Sequence, residues 1–173
     1  MRLLFEIDTK DYDLNGRLFI RPSVRSIIFR DNKVAMVHSL KYDYYKFPGG
    51  GIEKGESNME ALIRETAEET GLSVNPETIR EYGYVRRIQK SDYADAETFI
   101  QDNYYYICDA SEKMQAQSLD DYEAEERFTL EWVDPHKAID ANRSRNHGPK
   151  DKNMLEREAK VLECLIAEKY LQK

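Results

Sequence analysis

Apolar positions along this chain fall into two rhythms. Short runs enriched in β-branched and aromatic residues dominate the first half. Residues 23–29 and 34–37 are two such runs, separated by the polar stretch Arg30-Asp31-Asn32-Lys33, and together they predict a hairpin. Residues 42–47 form an aromatic-rich candidate strand that stops at Pro48. Beyond Pro76, residues 78–88 and 98–108 read as long strands, the second carrying Phe99, Tyr104, Tyr105 and Tyr106. Residues 128–133 predict one more strand. It is closed by Asp134-Pro135, which opens a short helix around 136–141, and residues 142–150 are polar and loop-like.

The helical rhythm appears twice more. After Pro48-Gly49-Gly50-Gly51, where regular structure is disfavoured, Ser57-Asn58-Met59-Glu60 is a capping box with Ser57 as N-cap. Met59, Leu62, Ile63, Thr66, Ala67 and Thr70 then fall at helical spacing and predict one buried stripe, and Gly71 stands where a C-terminal cap belongs. A second amphipathic helix is expected over about 153–171, with Leu155, Ala159, Leu162, Ile166 and Tyr170 inward. Strands interleaved with one central and one C-terminal helix define an α+β fold of α/β/α layering with a mixed sheet. The 173 residues suffice for a single domain, 1–173, with a full core.

Composition narrows the partners. Hydrophobic residues make up 40% of the chain, a globular proportion. A net charge of −7, from 26 basic and 33 acidic residues, disfavours non-specific binding to nucleic acid or to an anionic membrane. The N-terminus turns acidic too early for a signal peptide, and no apolar run approaches the ~20 residues that span a bilayer, so a cytoplasmic protein is expected. Cys108 and Cys164 are far apart, without CxxC or His-pair spacing, and read as two reduced thiols rather than a zinc site.

The chemistry concentrates on the first helix. Glu65, Glu68 and Glu69 stand at i, i+3 and i+4, so their carboxylates share a side. Their mutual repulsion is relieved by a divalent cation such as Mg²⁺, which takes carboxylate oxygens and shares its remaining positions with a substrate phosphate. Glu56 lies just ahead of the helix, Arg64 is interleaved, and the glycine turn offers unblocked backbone groups beside them. A generic acidic helix face is a solvated surface; the adjoining glycine loop and the interleaved arginine point instead to a site.

The arrangement Gly50-x5-Glu56-x7-Arg64-Glu65-Thr66-x-Glu68-Glu69-x-Gly71-Leu72 resembles the Nudix box. All seven fixed letters are present, an agreement expected by chance on the order of once in 10⁸ at one site. The one departure is Thr66 in an aliphatic slot on the buried stripe, where its methyl can pack. The resemblance covers residues 50–72 directly and implies a Nudix-type α/β/α sandwich for most of the chain. It implies a hydrolase of a diphosphate linkage in a nucleoside diphosphate derivative or nucleoside triphosphate, with Mg²⁺ or Mn²⁺ as cofactor. By the same resemblance Glu68 and Glu69 are principal metal ligands and Glu65 a ligand or the general base. Glu56 is a secondary ligand, the Gly49 carbonyl a further one, and Arg64 an orienting partner. Nudix enzymes often add a carboxylate from a loop before a late strand; here Glu123, Glu125 and Glu126 are the candidates, with Glu126 nearest the strand. The alternative is a Nudix fold kept as a ligand sensor or interaction module without hydrolysis.

Other residues carry less. Arg25, Arg86 and Arg87 suit phosphate by their bidentate geometry, although surface solvation is the commoner fate of each. Arg25, Gly50 and Gly51 are the candidate substrate contacts. His38, His136 and His147 share no motif. Most of the tyrosines are expected in strand packing. Markers of ADP-ribose or dinucleoside polyphosphate specificity would be a Pro or Tyr after the box; Arg87, Ile88, Gln89 and Lys90 hold neither, which argues against both. The aromatic strands and the C-terminal helix offer a surface for a homodimer.

Overall fold

The computed structural model describes residues 1–92, 95–111 and 116–171. In chain order the elements are β1 Leu3–Asp8, β2 Leu18–Ile20, β3 Ser23–Ile27, β4 Phe29–Arg30, β5 Lys33–Ser39, β6 Tyr44–Lys46, α1 Asn58–Thr70, β7 Ser73–Val74, β8 Arg80–Lys90, β9 Thr98–Ile107, β10 Ala110–Ser111, α2 Asp121–Glu126, β11 Phe128–Val133, α3 Pro135–Ser144 and α4 Lys152–Ala167.

Two larger sheets organise these elements, with a small β7–β10 pair beside them. In the first sheet β9 is central. It pairs antiparallel with β8 on one side and parallel with β3 and β2 on the other, and β1 runs parallel to β8 at the edge. The second sheet is antiparallel around β5, flanked by β11, β4 and β6. Helix α1 packs on β3, β7 and β11, while α3 and α4 pack on each other and on β6. The sheets therefore lie between α1 and the α3–α4 pair, the α/β/α layering expected.

Burial follows the strand alternation. On β3, Val24 joins Ala61, Leu62 and Tyr106 under α1, whereas Ile27 joins Tyr105, Phe47, Leu162 and Leu165 under α4. Tyr44, Tyr45, Tyr105 and Tyr106 are buried, as packing predicts. Cys108 and Cys164 are both free. Among the described residues no helix is long and apolar enough to cross a membrane.

Several expectations are corrected. The predicted hairpin is real only at its tip: β4 and β5 pair around Asp31 and Asn32, whose positive φ angles of 48° and 59° suit a two-residue turn. The first run, however, divides its allegiance, because β3 pairs in parallel with β9 in the other sheet. Strands β1 and β2 were not anticipated; both are edge segments without a fully buried residue. The stripe on α1 is rotated from the predicted one. Ala61, Leu62, Thr66, Glu69 and Thr70 are buried, while Met59 is 55% exposed. On α4, Leu155, Ala159 and Leu162 face inward, but the helix ends at Ala167 and Tyr170 is exposed. Residues 121–126, read as loop, form α2, whose N-terminal amide at Asp120 donates to Glu123 (3.0 Å). Residues 142–144, also read as loop, complete α3.

Candidate functional site

The site grows from the glycine loop. Residues 48–52 run beside β3, with Ser26 N donating to Pro48 O (2.9 Å) and Val24 N to Gly50 O (3.0 Å). This close approach is possible because Gly49, at φ +136°, has no Cβ; one placed there would stand 2.1 Å from the Val24 carbonyl oxygen. Helix α1 begins after the loop with the predicted capping box: Glu60 N donates to Ser57 Oγ, and Ser57 N donates to Glu60 Oε2 at 2.8 Å. Thr66 explains its own departure from the motif. It is fully buried, and its hydroxyl donates to Ser26 Oγ at 3.0 Å, so the position serves a cross-element hydrogen bond as well as packing.

The box carboxylates occupy different environments. Glu69 is 1% exposed and turns inward. It accepts from Gly49 N (2.9 Å) and from Lys46 Nζ. Burial pushes its carboxyl up to about 7, against the opposing pull of Lys46 and Arg25. Glu68 is partly exposed, and burial raises it also, more than Arg64 lowers it. Glu65 lies against the loop, with Oε2 beside Gly50.

Arg64 binds this group together. Its Nε and Nη2 donate to the two oxygens of Glu56 (2.8 and 2.9 Å), its Nη1 to Glu65 (2.9 Å) and Glu68 (3.1 Å), and Nη2 also reaches Gly51 O (3.2 Å). The fork holds Glu56 below the usual carboxylate range.

Glu126 on α2 is buried in a pocket of donors: Tyr44 Oη (2.9 Å), Ser39 Oγ (3.0 Å) and Lys150 Nζ. The Tyr44 hydroxyl is raised by its burial and by the charge of Glu126 beside it. Glu123 accepts from Tyr122 Oη (2.8 Å), and the exposed Glu125 pairs with Lys41.

Arg25 and Arg87, for which solvation was the commoner expectation, are 8% and 5% exposed. Arg25 Nη1 donates to Gly49 O. Arg86, by contrast, pairs with Asp102. The histidines have partners of their own: His38 with Asp43 and Glu131, His147 with Tyr42 O, and His136 N with the Asp134 cap. Sequence reasoning missed Lys46, Tyr44 and Ser39 as neighbours of the acidic groups. Lys46 had a signal, a lone cation in the aromatic run ahead of Pro48. It also missed Gln117 and Ser118, which donate to the Glu69 and Glu68 carbonyls at the end of α1.

A divalent cation suits this donor set, since carboxylates and a backbone carbonyl are hard oxygens of the kind Mg²⁺ and Mn²⁺ take. As arranged here, Lys46 and Arg64 are the counter-cations, and among the described residues no three acidic, His or Cys side chains converge to metal-holding distance.

A sandwich with a glycine loop and a glutamate-bearing helix wedged against its sheet is the Nudix architecture. The NUDIX domain model matches residues 20–157, and the chain belongs to that family. A NUDIX hydrolase from Nitrosomonas europaea superposes with a TM-score of 0.59 at 19% identity, covering 90% of this chain and 97% of that one. The mutator MutT protein from Bacillus halodurans gives 0.55 at 20% identity, with 82% of each chain covered. Among curated proteins, an ADP-ribose pyrophosphatase from Methanocaldococcus jannaschii is 36% identical over 41% of this chain and 43% of its own length. An RNA pyrophosphohydrolase from Nitratiruptor sp. is 36% identical over 42% of this chain and 54% of its own. The chain thus spans about half the length of the curated relatives it matches.

Proposed function

We propose that this protein hydrolyses the diphosphate linkage of a nucleoside diphosphate derivative or nucleoside triphosphate with the help of Mg²⁺ or Mn²⁺. The observation that carries the reading is the placement of Glu65 and Glu69 against a loop that lacks side chains at Gly49, Gly50 and Gly51, with Glu68 joined to Glu65 through Arg64. The names of the two curated relatives, both pyrophosphate-cleaving, support it.

Glu68 and Glu69 would hold the ion, with Glu56, Glu65, Glu126 and the Gly49 carbonyl as further donors. When bound, the ion supplies positive charge for the diphosphate oxygens and makes a bound water more acidic. The side chains have separate duties. Arg64 fixes Glu65 through Oε1, which leaves Oε2 beside Gly50 to take a proton from the attacking water. Arg64 also keeps Glu56 ionised. The glycine loop lets the diphosphate approach the backbone, and Arg25 steadies that loop through Gly49 O.

The test is a nucleotide panel assayed with Mg²⁺, with EDTA, and with Glu69→Gln. Turnover is expected to vanish in EDTA and to fall at least about a hundredfold in the variant, the low end for a group acting on the reacting atoms. Undiminished turnover in either arm overturns the reading.

A further inference from the structure

On the face of the first sheet that α4 covers, strand register gathers arginines. Arg25 on β3 pairs in register with Tyr105, Arg87 on β8 with Gln101, and all four side chains share that face by alternation. Arg157 descends from α4, 1% exposed, and donates to Asn103 Oδ1 (2.6 Å). Arg21 enters from the segment ahead of β3, its Nε about where a Cβ on Gly51 would contact it (3.1 Å). These four arginines line a cavity of about 270 Å³, with Phe99 as an apolar wall.

The charge of this cavity is not balanced. Its acidic lining residues are Asp92 and Asp151, against four guanidinium groups. Asp151 takes Arg87 Nη2, and Arg157 is matched by Glu158 from behind. The Arg25 partner is a carbonyl, and Arg21 has no side-chain partner among the described residues. The buried Nε groups of both Arg25 and Arg87 donate to nothing. A buried N–H without an acceptor costs roughly 1–3 kcal/mol, more when charged. Burial and the neighbouring Arg157 push Arg87 down to about 10, as expected where cations crowd.

We infer that this cavity is a phosphate subsite, and that the substrate carries a phosphate group beyond the cleaved linkage. The second half of the inference rests on the hydrolase reading above. With Glu158 matching Arg157, Asp151 matching Arg87 and Asp92 on the lining, one positive charge is in surplus, and guanidinium groups converging from separate elements suit the three free oxygens of a phosphate better than the two of a carboxylate. The volume lies below the roughly 300–1,000 Å³ that whole drug-sized ligands occupy, so it suits one group and not an entire nucleotide. Arg25 donates to Gly49 O and Arg21 borders Gly51, so the subsite adjoins the loop that the scissile diphosphate would approach.

Calorimetric titration with inorganic phosphate, in EDTA so that neither metal nor turnover enters, tests the subsite. Saturable binding is expected in the wild type, weakened at least about tenfold in Arg21→Ala and in Arg87→Gln, the loss of one charge-assisted contact. Arg21 is exposed, so its variant reports even if Arg87→Gln fails to fold. Arg86→Gln, which breaks a pair with Asp102 instead, should bind as the wild type does. No saturable binding, equal binding in Arg21→Ala, or acetate binding as tightly as phosphate overturns the subsite. In turnover assays Arg21→Ala should lower kcat/KM selectively for substrates bearing the extra phosphate; a uniform effect overturns the substrate half alone. Absence of all turnover in the wild type would sink the hydrolase reading while the titration still decides the subsite.

Discussion

A methyl group built on Gly50 would stand 2.2 Å from Oε2 of Glu65, while one on the preceding Gly49 would stand 2.1 Å from the backbone oxygen of Val24. The two glycines therefore protect different things. Gly50→Ala meets the end of a flexible side chain and displaces the proposed proton acceptor. Gly49→Ala meets backbone at a positive φ that an L residue rarely adopts. Gly50→Ala should keep the melting temperature nearly unchanged and lower kcat by about a hundredfold, the scale for an ångström of misplacement. Gly49→Ala should cost stability, on the order of 1–3 kcal/mol. Parallel thermal melts and rate measurements separate the two; a Gly50→Ala enzyme of wild-type rate would remove Glu65 from its proposed place.

Arg64 spans Glu56, Glu65, Glu68 and Gly51 O with one planar group, a geometry an ammonium cannot reproduce. Arg64→Lys keeps the charge and loses the fork. Because the ion pairs are partly exposed, the stability loss should stay at about 1 kcal/mol or less. Activity should fall further than that, at least about tenfold in kcat/KM, since three glutamates lose their common anchor. Equal losses in stability and activity would reduce Arg64 to a surface pair.

How far these features were legible from sequence depends on the range of the interaction. Helix α1 was readable because its signals are local: Ser57 and Glu60 at one end, Gly71 at the other. Its rotation was not. A glutamate is ordinarily polar surface, and Glu69 turns inward because Lys46 and the Gly49 amide, both more than 19 residues away in sequence, supply its partners. Likewise the run at residues 23–29 looked like one strand, yet the chain changes sheets between Ile27 and Phe29, a choice made by β9 some eighty residues on. The box glutamates and Arg64 were evident from spacing alone. The arginine cavity was not, because Arg21, Arg25, Arg87 and Arg157 come together only through strand register and the docking of α4.

That docking leans on a buried ion pair. Arg157 and Glu158 are 1% and 0% exposed, and Glu158 also accepts from Phe47 N at 2.8 Å. Glu158→Gln still accepts from Phe47 but leaves the guanidinium without a counter-charge. Breaking one side of a buried pair costs roughly 3–5 kcal/mol, and urea unfolding should show a loss of that order. A loss under about 1 kcal/mol would mean that Gln101 and Asn103 alone satisfy Arg157.

Alkaline stability should depend on Cys108. It is buried between Ile28, Ala35, Leu72 and Val74, and burial pushes its thiol up to about 12. The unfolded thiol ionises near ~8.5. Above that pH the unfolded chain has released a proton that the folded chain still holds, so the unfolded state is favoured as pH rises. The thiol's contribution is complete below the unfolded value and is lost progressively up to the folded one. At most this removes about 1.4 kcal/mol per pH unit for a single group. Buried tyrosines such as Tyr82 and Tyr105 are raised in the same sense, so the informative quantity is a difference between proteins. Urea midpoints measured from pH 8 to 10.5 should fall more steeply in the wild type than in Cys108→Ala. In the same pH range the folded wild type should alkylate with iodoacetamide far more slowly at Cys108 than at the less buried Cys164. Parallel slopes in the two proteins, or rapid alkylation at Cys108, would show that water reaches this side of the core.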